Sequence, residues 1–91
     1  MKKAVKMNVK GTVQGVFFRN FVKENAEKLK INGFVRNMED KSVEVFAEGE
    51  IDNVDKLVMI CKTGPKHASI KNIKVQEAKF QDFKEFKVLH I

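Results

Sequence analysis

What this chain lacks narrows its chemistry before any motif is read. It has one cysteine, Cys61, so no internal disulfide can form, and a reducing compartment such as the cytoplasm is the setting that fits. It has two histidines, His67 and His90, which show no metal-ligand spacing with each other or with Cys61. The carboxylates are scattered over polar helix faces and the short turn Glu39-Asp40, so no metal and no cofactor are expected. No apolar run approaches the roughly 20 residues of a membrane helix. The start, Met1-Lys2-Lys3, is followed by Lys6, Asn8 and Lys10, which interrupt any signal-peptide pattern. There are no repeats, low-complexity stretches or linkers. At 91 residues, 43% hydrophobic and 33% charged, the chain reads as a single globular domain over 1–91 with one core.

The scarcity that says most is that of arginine. Of 18 basic residues only Arg19 and Arg36 are not lysine. Arginine presents a rigid fork of donors matched to phosphate or carboxylate oxygens, which lysine does not reproduce. The net charge of +6 is compatible with a nucleic acid, a small anionic substrate or a solvated surface.

Along the chain, Val5, Met7 and Val9 alternate with Lys6, Asn8 and Lys10, the period of a half-buried strand. Gly11 and a loop through Gly15 are expected to end it. From Phe18, apolar residues recur at Phe21, Val22, Ala26 and Leu29, the stripe of an amphipathic helix. Glu24 and Lys28 are spaced as an i,i+4 pair on its wet side, and Asn32-Gly33 reads as its C-terminal stop. Phe34 to Met38 and Ser42 to Ala47 read as two strands of a hairpin turning at Glu39-Asp40-Lys41, with Gly49 closing it. Val54, Leu57, Val58 and Cys61 mark a second helix ending at Gly64-Pro65. Ser69 to Phe80 reads as a fourth strand, and Phe86 to Ile91 as a short terminal strand at an edge. The order β-α-β-β-α-β plus a final strand implies α+β architecture, a ferredoxin-like sandwich with both helices on one face of a mainly antiparallel sheet.

The candidate site is Val13-Gln14-Gly15-Val16-Phe17-Phe18-Arg19. A loop between a strand and a helix offers backbone N–H groups at the positive end of the helix dipole. Arg19 falls in the first helical turn, where a cation is electrostatically misplaced unless an anion occupies the loop. Cys61 lies on the apolar stripe of the second helix and reads as a small buried hydrophobe. His67 reads as a surface residue, and no covalent-catalysis constellation is visible. Asn37 admits two readings. It is a strand-end asparagine before a turn, or an uncharged amide that positions a water or substrate.

Gly11-Thr12-Val13-Gln14-Gly15-Val16-Phe17-Phe18-Arg19, followed by Gly33-Phe34-Val35-Arg36-Asn37, resembles the paired signature of the acylphosphatase family. Ser42-Val43-Glu44-Val45-Phe46-Ala47-Glu48-Gly49 and the later Gly64-Pro65 with Ala68 and Ile70 extend the likeness over nearly the whole chain. Two positions depart from the family pattern: Phe34 stands where it usually shows Trp, and Lys41 where it usually shows Gly. The resemblance implies hydrolysis of acyl phosphates to a carboxylate and inorganic phosphate, without metal. It implies that Arg19 and the backbone N–H groups of Gln14, Gly15, Val16, Phe17 and Phe18 hold the phosphate, and that Asn37 orients the attacking water. A cytoplasmic monomer acting on a small acyl phosphate is expected, with no nucleic-acid or membrane partner.

Two other classes stay in view. A small basic ferredoxin-like module that binds nucleic acid would need solvent-facing aromatics on its central strands; the first strand has none, and the third has only Phe46. A regulatory or accessory domain that keeps the fold without the activity would be expected to lose Arg19 or Asn37, and both are present.

Overall fold

The computed structural model describes residues 1–14 and 16–90, with Val16 described through its backbone alone. Alternation in the first segment produces β1 (Lys2–Thr12), in which Val5, Met7 and Val9 are buried and Lys6 and Lys10 face water. α1 (Val16–Lys28) follows, then β2 (Asn32–Asn37), β3 (Val43–Glu50), α2 (Ile51–Thr63), β4 (Ser69–Ala78) and β5 (Phe86–Leu89). The sheet order is β4-β1-β3-β2-β5. All pairs are antiparallel except β2 with β5, which is parallel. This is the ferredoxin-like sandwich, with α1 packed on β2 and β5 and α2 on β1 and β3. Phe18, Val22 and Ala26 of α1 and Val54, Leu57 and Cys61 of α2 close the core over Met7, Val35, Val45 and their neighbours. Burial pushes the Cys61 thiol up to about 12, which makes it an inert apolar filler.

The expected boundaries need several corrections, among them the end of β4, which stops at Ala78 rather than Phe80. α1 stops before Asn32-Gly33: Lys30 takes the left-handed conformation (φ 56), the Ile31 amide donates to the Ala26 carbonyl at 2.9 Å, and Lys30 N–H reaches the Glu27 carbonyl at 3.1 Å. That is a Schellman ending built on a lysine, and the two residues it brings together, Ala26 and Ile31, are both buried. Gly33 instead lies inside β2 with φ 144, where a Cβ would stand 1.9 Å from the Phe46 carbonyl oxygen. Gly11 likewise does not end β1; it sits at a bulge against β4, where a Cβ would meet the Ser69 carbonyl oxygen at 2.0 Å. Gly49 does not close the hairpin, because β3 continues to Glu50 by pairing Gly49 with Lys3 and Glu50 with Lys2. On the wet side of α1 the ion pair is Lys23 with Glu27, at 3.9 Å. The terminal strand ends at Leu89, and the expectation for Ile91 lies outside the described residues.

The face of the sheet away from the helices carries Lys6, Phe34, Arg36, Glu44 and Phe46, as the register requires. The segment between β4 and β5 folds back over it. Glu48, only 1% exposed, accepts the backbone N–H groups of Gln81 and Phe83 at 2.6 Å each, and Asn32 Nδ2 donates to the Phe83 carbonyl at 2.9 Å. The Phe83 ring is thereby set edge-on against Phe34 and Phe46, which stack on each other. Among the described residues no helix is long and apolar enough to cross a membrane.

Candidate active site

Three segments meet at one end of the sheet: the stretch from Val13 into the first turn of α1, the β2–β3 turn, and the end of β5. The first amides of an α-helix lack an intrahelical acceptor; in α1 these include the amides of Val16, Phe17 and Phe18. No acidic residue occupies the first turn of α1, so nothing on the helix itself offsets the positive end of its dipole. Val13 and Phe18 are buried and anchor the stretch from both sides, whereas Phe17 is 58% exposed. Phe17 is therefore not part of the core, although adjacent phenylalanines look alike in the sequence. Gly15, one of the expected phosphate-holding positions, lies outside the described residues.

Arg19 points inward and is 7% exposed. Its Nη1 donates to the Leu89 carbonyl at 3.1 Å and meets His90 Nδ1 at 3.2 Å. Leu89 is the β5 partner of Arg36, the residue before Asn37. Asn37 follows Gly33 and Val35 in alternation, which puts it on the helix side of the sheet, at the last position of β2. Its Oδ1 is buried and has no hydrogen-bond partner among the described residues. A buried acceptor of this kind is rare and calls for an explanation.

Gln14 ties the loop to the residue after Asn37. Its Nε2 donates to the Met38 carbonyl at 2.9 Å and to the Ser42 carbonyl at 3.2 Å. The turn that it grips is itself braced by buried Ser42, whose hydroxyl donates to Asp40 Oδ1 at 2.5 Å and accepts from Asn8 Nδ2 at 2.9 Å. The Ser42 hydroxyl and then its amide, both donating to Asp40, hold that carboxyl below its ordinary range. Gln14, Asn37 and Asp40 line a hollow of about 680 Å³ together with Arg36, Met38 and Glu39. The loop and the end of β2 are thus connected on two sides, through Gln14 to Met38 and through Arg19 to Leu89.

Side-chain roles for Gln14, Ser42 and His90 are absent from the sequence reading. For His90 a signal existed: Phe86, Val88 and His90 share one strand parity, which carries the histidine toward the helix side. For Gln14 and Ser42 there was none, because their partners are backbone carbonyls and side chains set by tertiary folding. Arg36 proves to serve the sheet, with Nε 2.8 Å from Glu44 Oε1 on the facing strand. Among the described residues no group of three or more His, Cys, Asp or Glu comes together in a way that could hold a metal.

Fold and site together define a class: a small ferredoxin-like α+β domain with an electropositive helix start, a buried arginine and a buried amide oxygen at one end of the sheet. Comparison with known proteins gives that class its family. The acylphosphatase family model matches residues 5–88, and the chain belongs to the acylphosphatase family, enzymes that hydrolyse acyl phosphates. It is 48% identical to an acylphosphatase of Rubrobacter xylanophilus over 75 residues, covering 82% of this chain and 68% of that protein. It is 38% identical to one from Syntrophus aciditrophicus over 91 residues, covering 99% and 95% respectively. The solved acylphosphatase of Bacillus subtilis superposes with a TM-score of 0.92 at 33% identity, covering 99% of this chain and all (100%) of that one. The same fold recurs inside a much longer chain: full-length HypF matches 99% of this chain with a TM-score of 0.87 and 29% identity, using 12% of its own length.

Proposed function

We propose that the chain is a metal-independent acylphosphatase in which Arg19 and the loop amides of Gln14, Gly15, Val16, Phe17 and Phe18 hold the phosphoryl group and Asn37 positions the water. The observation that carries this reading is the buried Asn37 Oδ1, an acceptor with no partner among the described residues, at a strand end tied to the loop by Gln14 and to Arg19 through β5. A water donating to that oxygen would satisfy it and have its lone pairs turned toward phosphorus.

The substrate's chemistry explains why so few groups suffice. The leaving group is a carboxylate whose conjugate acid has a pKa of about 4 to 5, so it departs without a general acid. Charge develops on the equatorial phosphoryl oxygens, and fixed N–H donors there supply most of the acceleration. An amide is no base, so the proton of the attacking water passes to the substrate phosphate. The products are a carboxylate and inorganic phosphate.

In this reading the partners are a small acyl phosphate and inorganic phosphate, and the enzyme is a cytoplasmic monomer, a setting that suits the buried thiol of Cys61. Nucleic acid is not a partner. The one aromatic pair on the open face, Phe34 with Phe46, has its rings turned to each other and capped by Phe83, and Phe46 is only 6% exposed, which leaves no platform for a base.

The test is hydrolysis of benzoyl phosphate in the presence of EDTA, with inorganic phosphate as competitor. Asn37→Ala is expected to abolish turnover and leave phosphate binding nearly intact, whereas Arg19→Gln is expected to lose both. Parallel losses of turnover and phosphate binding in Asn37→Ala would make Asn37 a binding or structural residue and sink the water-positioning role.

A further inference from the structure

We infer that the open face of the sheet carries a second binding site, a hollow that takes a small monocarboxylate with a phenyl or branched apolar body. The hollow measures about 530 Å³ and lies between the strands and the segment that joins β4 to β5. Its floor is the Phe34–Phe46 pair and its wall is Phe83, with ring centroids 5.4 to 5.9 Å apart. The wall is fixed by hydrogen bonds. Glu48 accepts the amides of Gln81 and Phe83, Asn32 donates to the Phe83 carbonyl, and the Gly33 amide donates to the Glu85 carbonyl at 3.0 Å. Three alternate residues of the segment are thereby tied down. The hollow exists before anything enters it, so binding carries no cost of ordering the wall.

The rim gives the sign of the ligand. Lys6, Lys79 and Arg36 line the hollow with one carboxylate, Glu44. That carboxylate is committed to Arg36 at 2.8 Å. Lys6 and Lys79 are exposed and make no ion pair among the described residues, so two ammonium groups are left to meet an anion. Packing accounts for the cap on the aromatic pair. It does not account for two unpaired cations beside half-buried Phe34 and Phe83. Inorganic phosphate would leave the rings unused, and a neutral apolar molecule would leave the lysines unused. A carboxylate on a compact apolar body uses both, in the usual manner of a concave site with a few polar groups at its edge. The hollow is separate from the catalytic one. Asn37 lies on the helix side of β2, and among the described residues Arg36 alone lines both this hollow and the one beside Asn37.

The test is a ¹H–¹⁵N NMR titration of the full chain with 3-phenylpropionate, using 3-phenylpropanol and propionate as its neutral and ringless counterparts. Saturable shifts are expected at the amides of Lys6, Phe34, Lys79 and Phe83, with small ones at Phe18 and Asn37. A dissociation constant of roughly 1 to 10 mM is expected for a ligand of this size. Each counterpart is expected to bind at least about 5-fold more weakly, one for want of charge and the other for want of apolar surface. Lys6→Gln combined with Lys79→Gln is expected to weaken phenylpropionate by about 5- to 10-fold. The same double variant should leave phenylpropanol binding, thermal stability and benzoyl phosphate hydrolysis unchanged. Shifts centred on Phe18, Arg19 and Asn37 would place the carboxylate in the phosphate loop and overturn the proposal. Equal affinities for acid and alcohol would mean apolar contact alone, and equal affinities for acid and propionate would mean the lysines alone; either result sinks the site. So would unaltered affinity in the double variant, or no saturable shift well above the expected range. Binding is read here without turnover. A failed titration therefore leaves the hydrolytic reading intact, and a failed hydrolysis assay leaves this site intact.

Discussion

Arg19 and Arg36 are the same side chain put to opposite uses. Arg36 projects from the open face of β2, stands directly across from Glu44 on β3, and has its charge matched by that carboxylate at 2.8 Å; its guanidinium also lies 6.0 Å from the Phe34 ring centroid. Arg19 is sunk to 7% exposure in the first turn of a helix, and its contacts to Leu89 and His90 span 70 and 71 positions of sequence. One arginine completes a local pair that the sheet register supplies. The other is held by distant chain at the electropositive start of α1. Rarity in a lysine-rich chain marks both residues, and only the fold tells them apart.

The sharpest way to break that contrast is to make the same conservative change at both positions. Arg19→Lys keeps the charge and loses the fork, and is expected to cost about 10²-fold or more in benzoyl phosphate turnover, comparable with removal of a preorganised oxyanion donor. Arg36→Lys is expected to leave turnover within about threefold and to change stability by less than about 1 kcal/mol, the scale of a partly exposed pair. Similar losses from the two substitutions, measured side by side, would show that the site extends across β2 and that the division of labour between the arginines is wrong.

A smaller effect sharpens the comparison from the acidic side. Glu44→Gln leaves Arg36 an acceptor but no charge. It is expected to lower the unfolding free energy by roughly 1 kcal/mol, with a difference from the parent that shrinks as salt is raised. Denaturant titrations at low and high ionic strength would measure it. A difference that did not respond to salt would mean that the pair acts through packing of the Arg36 stem over Phe34 rather than through charge.

Much of this was legible in the sequence, and what was not has a common cause. The strands β1 and β3 and both helices follow from alternation and from the apolar stripe, which are local properties. The glycines misled because their purpose is not local: Gly11 and Gly33 exist to let a carbonyl of the neighbouring strand come close, and a sequence window contains no trace of that neighbour. Arg19 stood out because its charge was wrong for its place, and Asn37 because its side chain was wrong for a strand. Gln14 and Ser42 did not stand out, since each is ordinary where it occurs and becomes part of the site only through the Met38 carbonyl, Asp40 and Asn8. The buried carboxylate of Glu48, which fastens the segment that caps the aromatic pair, was hidden for the same reason.

The smallest effect concerns the turn that links the strand of Arg36 to the strand of Glu44. Lys41 has φ 75. A residue with a Cβ is strained there by about 1 to 2 kcal/mol, and Lys41→Gly would relieve that strain. Glycine in turn makes the unfolded chain more flexible and returns about 0.5 to 1 kcal/mol of the gain. The net expectation is a stabilisation of about 0.5 to 1 kcal/mol, read as a higher denaturant midpoint at unchanged slope. Turnover should not move, because the end of β2 is held by Gln14 and by the Ser42–Asp40 brace rather than by the Lys41 side chain. If Lys41→Gly slowed hydrolysis while stabilising the fold, the strained turn itself would be setting the position of Asn37. The hairpin would then belong to the site that Arg19 serves as much as to the sheet that Arg36 serves.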